Sequence, residues 1–323
     1  MVKVAIAGAG AMGGRIGTQI AEAGYDVTLI DYWKEHITNI KKYGINIQTE
    51  NDTYNVKINA KLPEKVDEQY DLIIILTKAM ESDAMVETLN EANAIKENTA
   101  VLTMMNGLGH EERFAKIIPK SQIFLAVTMW TAGLRGPGEL LLEGTGTIEM
   151  QRADGREDYR TEVINTIFNN AKLNSTISEN VFESIWSKAT LNSVLNPLCT
   201  ILDQTINQFS LYHQSRQMVT PIVEEIVTVA KAHGIVLNAE RLIQKIEAAY
   251  PVESQGLHYP SMHQDLYKGR LTEIDYLNGQ IVEYGKSYGI PTPNNEMLTH
   301  MIHQLEQKYK NKVNIIDLSS QLS

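Results

Sequence analysis

Two groups of residues in this chain combine type and spacing in a way that could do chemistry. The first is Gly8-Ala9-Gly10-Ala11-Met12-Gly13, a complete GxGxxG between a short β-branched run and a helical stretch. In this pattern Gly8 permits a tight turn, Gly10 lets backbone approach a pyrophosphate, and Gly13 lets helix and strand pack closely. The helix start then offers free N–H groups and the positive end of its dipole to phosphates. Asp31 follows roughly 20 residues on, where the fingerprint expects a carboxylate for the adenosine ribose hydroxyls. A charge there repels the extra phosphate of NADP, and the next residues, Tyr32, Trp33 and Lys34, include no arginine. The expected cofactor is NAD(H). The plainer reading is a glycine turn with Asp31 capping a strand end.

The second group is Lys188, Asn192 and Asn196, followed by Pro197. Positions i, i+4 and i+8 share one side of a helix, so a cation and two amides line up along a mostly apolar rod. Buried polar groups need partners, and a stripe facing a cleft can find them in a ligand. Pro197 withholds one backbone bond and so frees a carbonyl in the preceding turn. An amphipathic helix with a solvated polar stripe satisfies the same spacing. Downstream lie Ser261-Met262-His263-Gln264-Asp265 and Thr272-Glu273-Ile274-Asp275. Spacing alone allows Thr272 to cap the next helix, with Glu273 merely favourable in its first turn. Cys199, the one cysteine, sits in an apolar helical stretch and reads as a core thiol. Neither HExxH nor a His pair near a Cys occurs, so no metal is expected.

These groups need elements to hold them. Val2–Ala7, Val27–Asp31, Leu72–Thr77 and Thr99–Thr103 read as strands, with Ile16–Ala23 and Ser82–Ala94 as helices between them and Ser82 as an N-cap. Alternating strand and helix predicts a doubly wound parallel sheet, an α/β Rossmann domain over residues 1–176. Gly44–Leu62 alternates like an edge hairpin, and Gly136-Pro137-Gly138 with Gly144-Thr145-Gly146 brackets a further strand pair. From there the period is helical: 185–201, 218–233, 239–249, 273–288 and 295–309. The expectation is an all-helical domain over 177–323, with ligands in a cleft at the carboxyl ends of the strands.

Composition narrows the function. The chain has 323 residues, 43% hydrophobic and 21% charged, close to globular averages. Lys plus Arg is 29 against Asp plus Glu 39, a net charge of −10, which argues against a nucleic-acid partner. A small anionic substrate stays compatible, because a pocket can be locally positive. No apolar run is long enough to span a bilayer, and the start does not read as a signal peptide, so the expected compartment is the cytoplasm.

Taken in order, the chain resembles the ketopantoate reductase (2-dehydropantoate 2-reductase) family over essentially its whole length. The pieces that carry the likeness are the GxGxMG start, Thr77-Lys78-Ala79, Asn106-Gly107, the Lys188/Asn192/Asn196-Pro197 helix, and Ser261-Met262…Asp265 with Thr272-Glu273-Ile274-Asp275. The Gly138…Gly144…Gly146 stretch is similar to the family's glycine-bearing strand pair. The resemblance implies Lys188 as general acid toward the substrate's C2 oxygen, with Glu273 beside substrate and lysine. It implies Asn192, Asn196 and Ser261 as anchors of the oxo acid, and Asn106 and Lys78 at the mouth of the cofactor site. A cation near a developing alkoxide and donors for a carboxylate suit the reduction of a 2-oxo acid.

Three residues depart from the family's pattern. Asp31 stands where NADPH-using members tolerate a phosphate, Met105 replaces a Gln, and His258 replaces a substrate-contacting Asn. Together they are similar to the family's NAD-dependent D-2-hydroxyacid branch, the D-mandelate dehydrogenase type, acting on oxo acids bulky or branched at C3. The alternatives are a true ketopantoate reductase that accepts NADH, and a cofactor-binding sensor without turnover. His258 as a plain structural histidine fits as well. The family also implies a homodimer.

Overall fold

The computed structural model describes residues 2–156 and 158–320. It divides into two compact units: the chain through Met105 with Gly109–Val181, and Asn106–Leu108 with the chain from Phe182 onward.

Among the described residues the first unit holds twelve strands: β1 Lys3–Ala7, β2 Asp26–Ile30, β3 Ile45–Gln48, β4 Thr53–Val56, β5 Asn59–Lys61, β6 Tyr70–Ile75, β7 Ile95–Thr103, β8 Ile123–Thr128, β9 Gly133–Gly136, β10 Glu139–Leu141, β11 Ile148–Arg152 and β12 Ser175–Ile177. Its helices are α1 Ala11–Glu22, α2 Lys34–Tyr43, α3 Ser82–Glu91, α4 His110–Phe114 and α5 Tyr159–Asn170. The main sheet runs β12-β11-β8-β7-β6-β1-β2-β5, and a four-stranded sheet runs β4-β3-β10-β9. Strand β1 is apolar on both faces and fully buried from Val4 to Ala7, as a strand covered on both sides must be. β1 pairs in parallel with β2 on one side and β6 on the other, so the direction of winding reverses there. Such a switch point is where open α/β sheets bind ligands, and the glycine loop leaves β1 at that point.

The expected parallel sheet is present from β5 through β8, and β11 joins its edge antiparallel to β8. Between them the chain passes through the β9–β10 hairpin instead of a crossover helix, and only a crossover would restore the parallel sense. Helix α1 begins at Ala11, five residues before the apolar period becomes visible, because its first turn is built of loop residues. Ser82 does not cap α3: it is the first helical residue, and its hydroxyl donates back to the Ala79 carbonyl.

The second unit contains α6 Val181–Leu202, α7 Ile206–Ser210, α8 Ser215–Ala232, α9 Ala239–Glu247, α10 Ser261–Tyr267, α11 Asn278–Tyr288 and α12 Pro293–Ser320. Its core gathers Trp186, Val194, Leu195 and Cys199 of α6 with Val219, Val223 and Ile226 of α8 and Ile281 of α11. The expected helix over 273–288 is interrupted. A 3-10 turn at Ile274–Tyr276 ends at Leu277, whose φ of −110° and ψ of −101° are not helical, and α11 starts one residue later. Thr272 accordingly caps no long helix, and its hydroxyl accepts from Ile274 N at 3.3 Å. Among the described residues no helix is long and apolar enough to cross a membrane.

Candidate active site

The glycine loop is shaped by contacts that leave no room for side chains. Gly8 has a φ of +100°, and a Cβ there would lie 2.4 Å from the Leu76 backbone. A Cβ on Gly13 would lie 1.7 Å from the Gly8 carbonyl oxygen, so α1 rests directly on the strand end. At Gly10 a Cβ would meet nothing within 4 Å, so the loop is open at that residue. Gly10 brings no side-chain cap to α1, and the first-turn N–H groups belong to Ala11, Met12 and Gly13. Open space beside uncapped helix N–H groups fits a pyrophosphate. A dinucleotide would rest on Gly8, Gly10, Ala11, Met12 and Gly13 with its ribose toward Asp31.

Asp31 has a further job that spacing did not reveal. One carboxylate oxygen accepts the Ala9 N–H at 2.7 Å and the other accepts the Trp33 N–H at 2.9 Å. These bonds fix its orientation and give the carboxylate the plainer strand-end role. Lys78 follows β6 at the start of a 3-10 turn spanning Ala79–Glu81. Burial lifts the Glu81 carboxyl above the usual range; the negative charge of Asp31 adds to this, and Lys78 opposes it. Glu81 carries no motif signal, because its place beside Asp31 depends on two strand ends meeting.

In the helical unit, α6 is not a solvated amphipathic helix. Lys188 and Asn192 are half-buried and Asn196 is only 8% exposed, among buried Trp186, Ala189, Leu195 and Cys199. Burial pulls the Lys188 ammonium down to about 8, while the Glu273 carboxylate pushes it back up. A cation that titrates near neutrality beside a carboxylate is equipped to give and recover a proton. Asn192 and Asn196 carry their amides on the same side of α6 as Lys188. Asn106 joins this unit through its neighbour: Leu108 N donates to Tyr276 O at 2.9 Å, and Tyr276 N donates to Glu273 O at 3.0 Å. Asn106 and Glu273 are thereby tied to one segment.

His258 and Ser261 have exposed side chains. Ser261 opens α10 after Pro260, while the backbone of His258 bonds Ile206 and Gln255. Asp265 is buried and paired with Arg270 at 2.6 Å, closing the turn after α10. Cys199 is buried and its thiol is pushed up to about 12, which removes it as a nucleophile.

Sequence reasoning missed Asn278, although Pro197 signalled the need for it. Without an N–H at Pro197 the Ser193 carbonyl has no helical donor, and Asn278 Nδ2 reaches it at 2.8 Å. The same amide donates to Asn295 Oδ1 at 3.0 Å, and Asn295 Nδ2 donates to Glu225 Oε2 at 2.7 Å. Helices α6, α8, α11 and α12 are joined through one polar chain, buried at Ser193, Asn278 and Asn295, that begins in the turn after Lys188. Asn278→Ala should cost about 1–3 kcal/mol of stability, because it strands a buried carbonyl. In a Pro197→Ala background the new N–H reclaims Ser193 O, so the same change should cost clearly less. A double-mutant cycle by urea unfolding checks this, and additive costs would show that the two residues do not share the carbonyl.

A sheet with its glycine loop at the switch point, together with a titratable half-buried lysine, defines a dinucleotide-dependent oxidoreductase. Residues 4–155 match the family described as Ketopantoate reductase PanE/ApbA, and residues 180–306 match its C-terminal part. The chain belongs to the ketopantoate reductase family. It is 39% identical to a 2-dehydropantoate 2-reductase of Lactococcus lactis subsp. lactis (strain IL1403), over 96% of this chain and 100% of that protein. It is 40% identical to one of Streptococcus pyogenes serotype M1, over 94% of this chain and 97% of that protein. A solved D-mandelate dehydrogenase with NADH and anilino(oxo)acetate superposes with a TM-score of 0.91 at 40% identity, covering 95% of this chain and 99% of the other.

Proposed function

We propose that this oxidoreductase uses NADH to reduce a 2-oxo acid that is aromatic or branched at C3, giving the D-2-hydroxy acid. The observation that carries the reading is the half-buried Lys188 beside Glu273, held near neutrality on a helix that also presents two amides. Lys188 Nζ gives its proton to the C2 oxygen as that atom gains negative charge, and Glu273 steadies the ammonium beforehand. Asn192 and Asn196 donate to the carboxylate or the oxo oxygen, with Asn106, Ser261 and His258 as further substrate contacts. Bound NADH supplies the hydride that C2 receives. The backbone of the glycine loop holds the pyrophosphate, Asp31 takes the ribose hydroxyls, and Lys78 lies at the cofactor's edge. Each turnover leaves Lys188 neutral, and a proton from solvent restores it.

The choice of NADH rests on Asp31, whose fixed carboxylate would face a 2′-phosphate with like charge. The choice of substrate side chain rests on His258 and on the likeness to the D-mandelate dehydrogenase structure. A second reading, reduction of ketopantoate with NAD(P)H, is favoured by the names of the curated relatives at about the same identity. Steady-state kinetics with NADH and NADPH against phenylglyoxylate, 2-oxoisovalerate and ketopantoate separate the two. We expect kcat/KM to be highest with NADH and one of the first two acids. A higher kcat/KM for ketopantoate with NADPH would overturn the assignment of both cofactor and substrate.

A further inference from the structure

His36 of α2 is a buried imidazole, 1% exposed, whose two nitrogens both meet backbone of the first unit. Nδ1 lies 3.0 Å from the Gly138 nitrogen, and Nε2 lies 2.9 Å from the Ala9 carbonyl oxygen. An amide N–H can only donate and a carbonyl can only accept, so this pair of contacts requires one form of the ring. Nδ1 must carry a lone pair and Nε2 a proton. Trp33 covers one face of the ring, with centroids 4.9 Å apart and planes 10° from parallel.

Both partners are structurally special. Ala9 lies in the glycine loop, and its N–H is already held by Asp31. In a planar trans peptide the C=O and the following N–H point in opposite directions. Anchoring the Ala9 carbonyl on His36 therefore aims the Gly10 N–H away from His36. Gly138 ends the Gly136-Pro137-Gly138 turn, where a φ of +76° favours glycine. The turn is pinned again from α2 by Asn39 Nδ2 on Pro137 O at 2.6 Å, and Asn46 N of β3 donates to Gly138 O at 2.8 Å. The turn of the glycine patch thus meets the cofactor loop through the His36 side chain.

We propose that His36 is a positioning residue of the dinucleotide site, linking the glycine loop to the second sheet only while neutral, so that its protonation weakens NADH binding. A second ring proton would face the Gly138 N–H, breaking that bond and pushing the turn and the loop apart. Asp31 is the charged group that acts on the ring, and it favours the cation. The glycine loop and the 136–138 turn bond the ring through backbone, and Lys34 and Glu35 of its own helix are exposed. Burial outweighs Asp31 and the Ala9 carbonyl and holds His36 below its ordinary value. The neutral form therefore prevails at neutral pH. The link is complete above about pH 6.5 and is lost as the pH falls through the depressed value.

The inference rests on the reading of the glycine loop as the NADH site, and the test keeps the two apart. NADH affinity is measured by titration of NADH fluorescence from about pH 5 to about pH 8 on the full chain, wild type and variants. His36→Leu removes both bonds and should raise Kd about tenfold or more at neutral pH, the scale of one or two net hydrogen bonds. Its kcat at saturating NADH should stay within about twofold of wild type, because His36 does not touch the reacting atoms. His36→Gln keeps a donor for Ala9 without a titrating proton. It should bind more tightly than His36→Leu and lose the acid-side rise in Kd that wild type shows. A Kd and pH profile unchanged in both variants, whether or not thermal stability drops, would reduce His36 to a packing residue and overturn the proposal. Failure of wild type to bind NADH at any pH would instead sink the cofactor reading.

Discussion

Lys188→Ala is expected to lower kcat by about 10²–10⁴, the usual reach of a positioned general acid. The geometry behind this figure is the half-buried ammonium on α6 with Glu273 acting on it. The fold should survive, because a cation whose pKa is pulled from 10.5 to about 8 is held at a cost that alanine removes. Intact far-UV circular dichroism and a thermal midpoint at or above that of wild type would make the loss of rate a loss of chemistry. The pH dependence supplies a sign. With Lys188 as the proposed acid, reduction would need it protonated, so kcat/KM for the oxo acid should fall as the pH rises through about 8. Oxidation of the hydroxy acid needs it neutral and should rise over the same range. Glu273→Gln withdraws the carboxylate that favours the ammonium, so both transitions should move to lower pH. A decrease in kcat below about fivefold for Lys188→Ala would remove the residue from the role.

Asp31→Ser is expected to weaken NADH binding by about 1.5–3 kcal/mol, the scale of a hydrogen bond to a charged group. The structure adds a cost that the ribose contact alone does not contain, since the carboxylate also holds the Ala9 and Trp33 N–H groups. Serine can keep at most one of those bonds, so thermal stability should fall together with affinity. NADPH should gain relative to NADH, because the repelling charge is gone while Lys34 stays nearby. The ratio of kcat/KM values for the two cofactors measures this. An unchanged ratio would mean that Asp31 does not discriminate between them, whatever happens to stability.

How much of the site was legible depended on how local each signal is. The glycine loop could be read residue by residue, because Gly8 and Gly13 are demanded by a turn and a strand contact within one short segment. The Lys188, Asn192 and Asn196 stripe followed from helical period, but whether it was solvated could not be read from period. That depended on which helices surround α6. The same holds for Glu273: its segment reads like a helix start, whereas a break at Leu277 turns it into a short 3-10 element. Asn278, Glu81 and His36 stayed hidden because each acts on a partner far along the chain. Pro197 did announce a missing donor, but not who would supply it.

Sequence alone determined the α/β character of the first unit, the helical character of the second, the dinucleotide loop and the helix that bears the lysine. All of these are written in near-neighbour periodicity and in glycine positions. Tertiary structure decided the charge state and the bonding of the important groups: the ammonium drawn toward neutrality, the carboxylate anchored by two amides, the imidazole confined to one tautomer. The physical reason is that desolvation and hydrogen bonding are set by whatever lies within a few ångströms, and those neighbours come from distant parts of the chain.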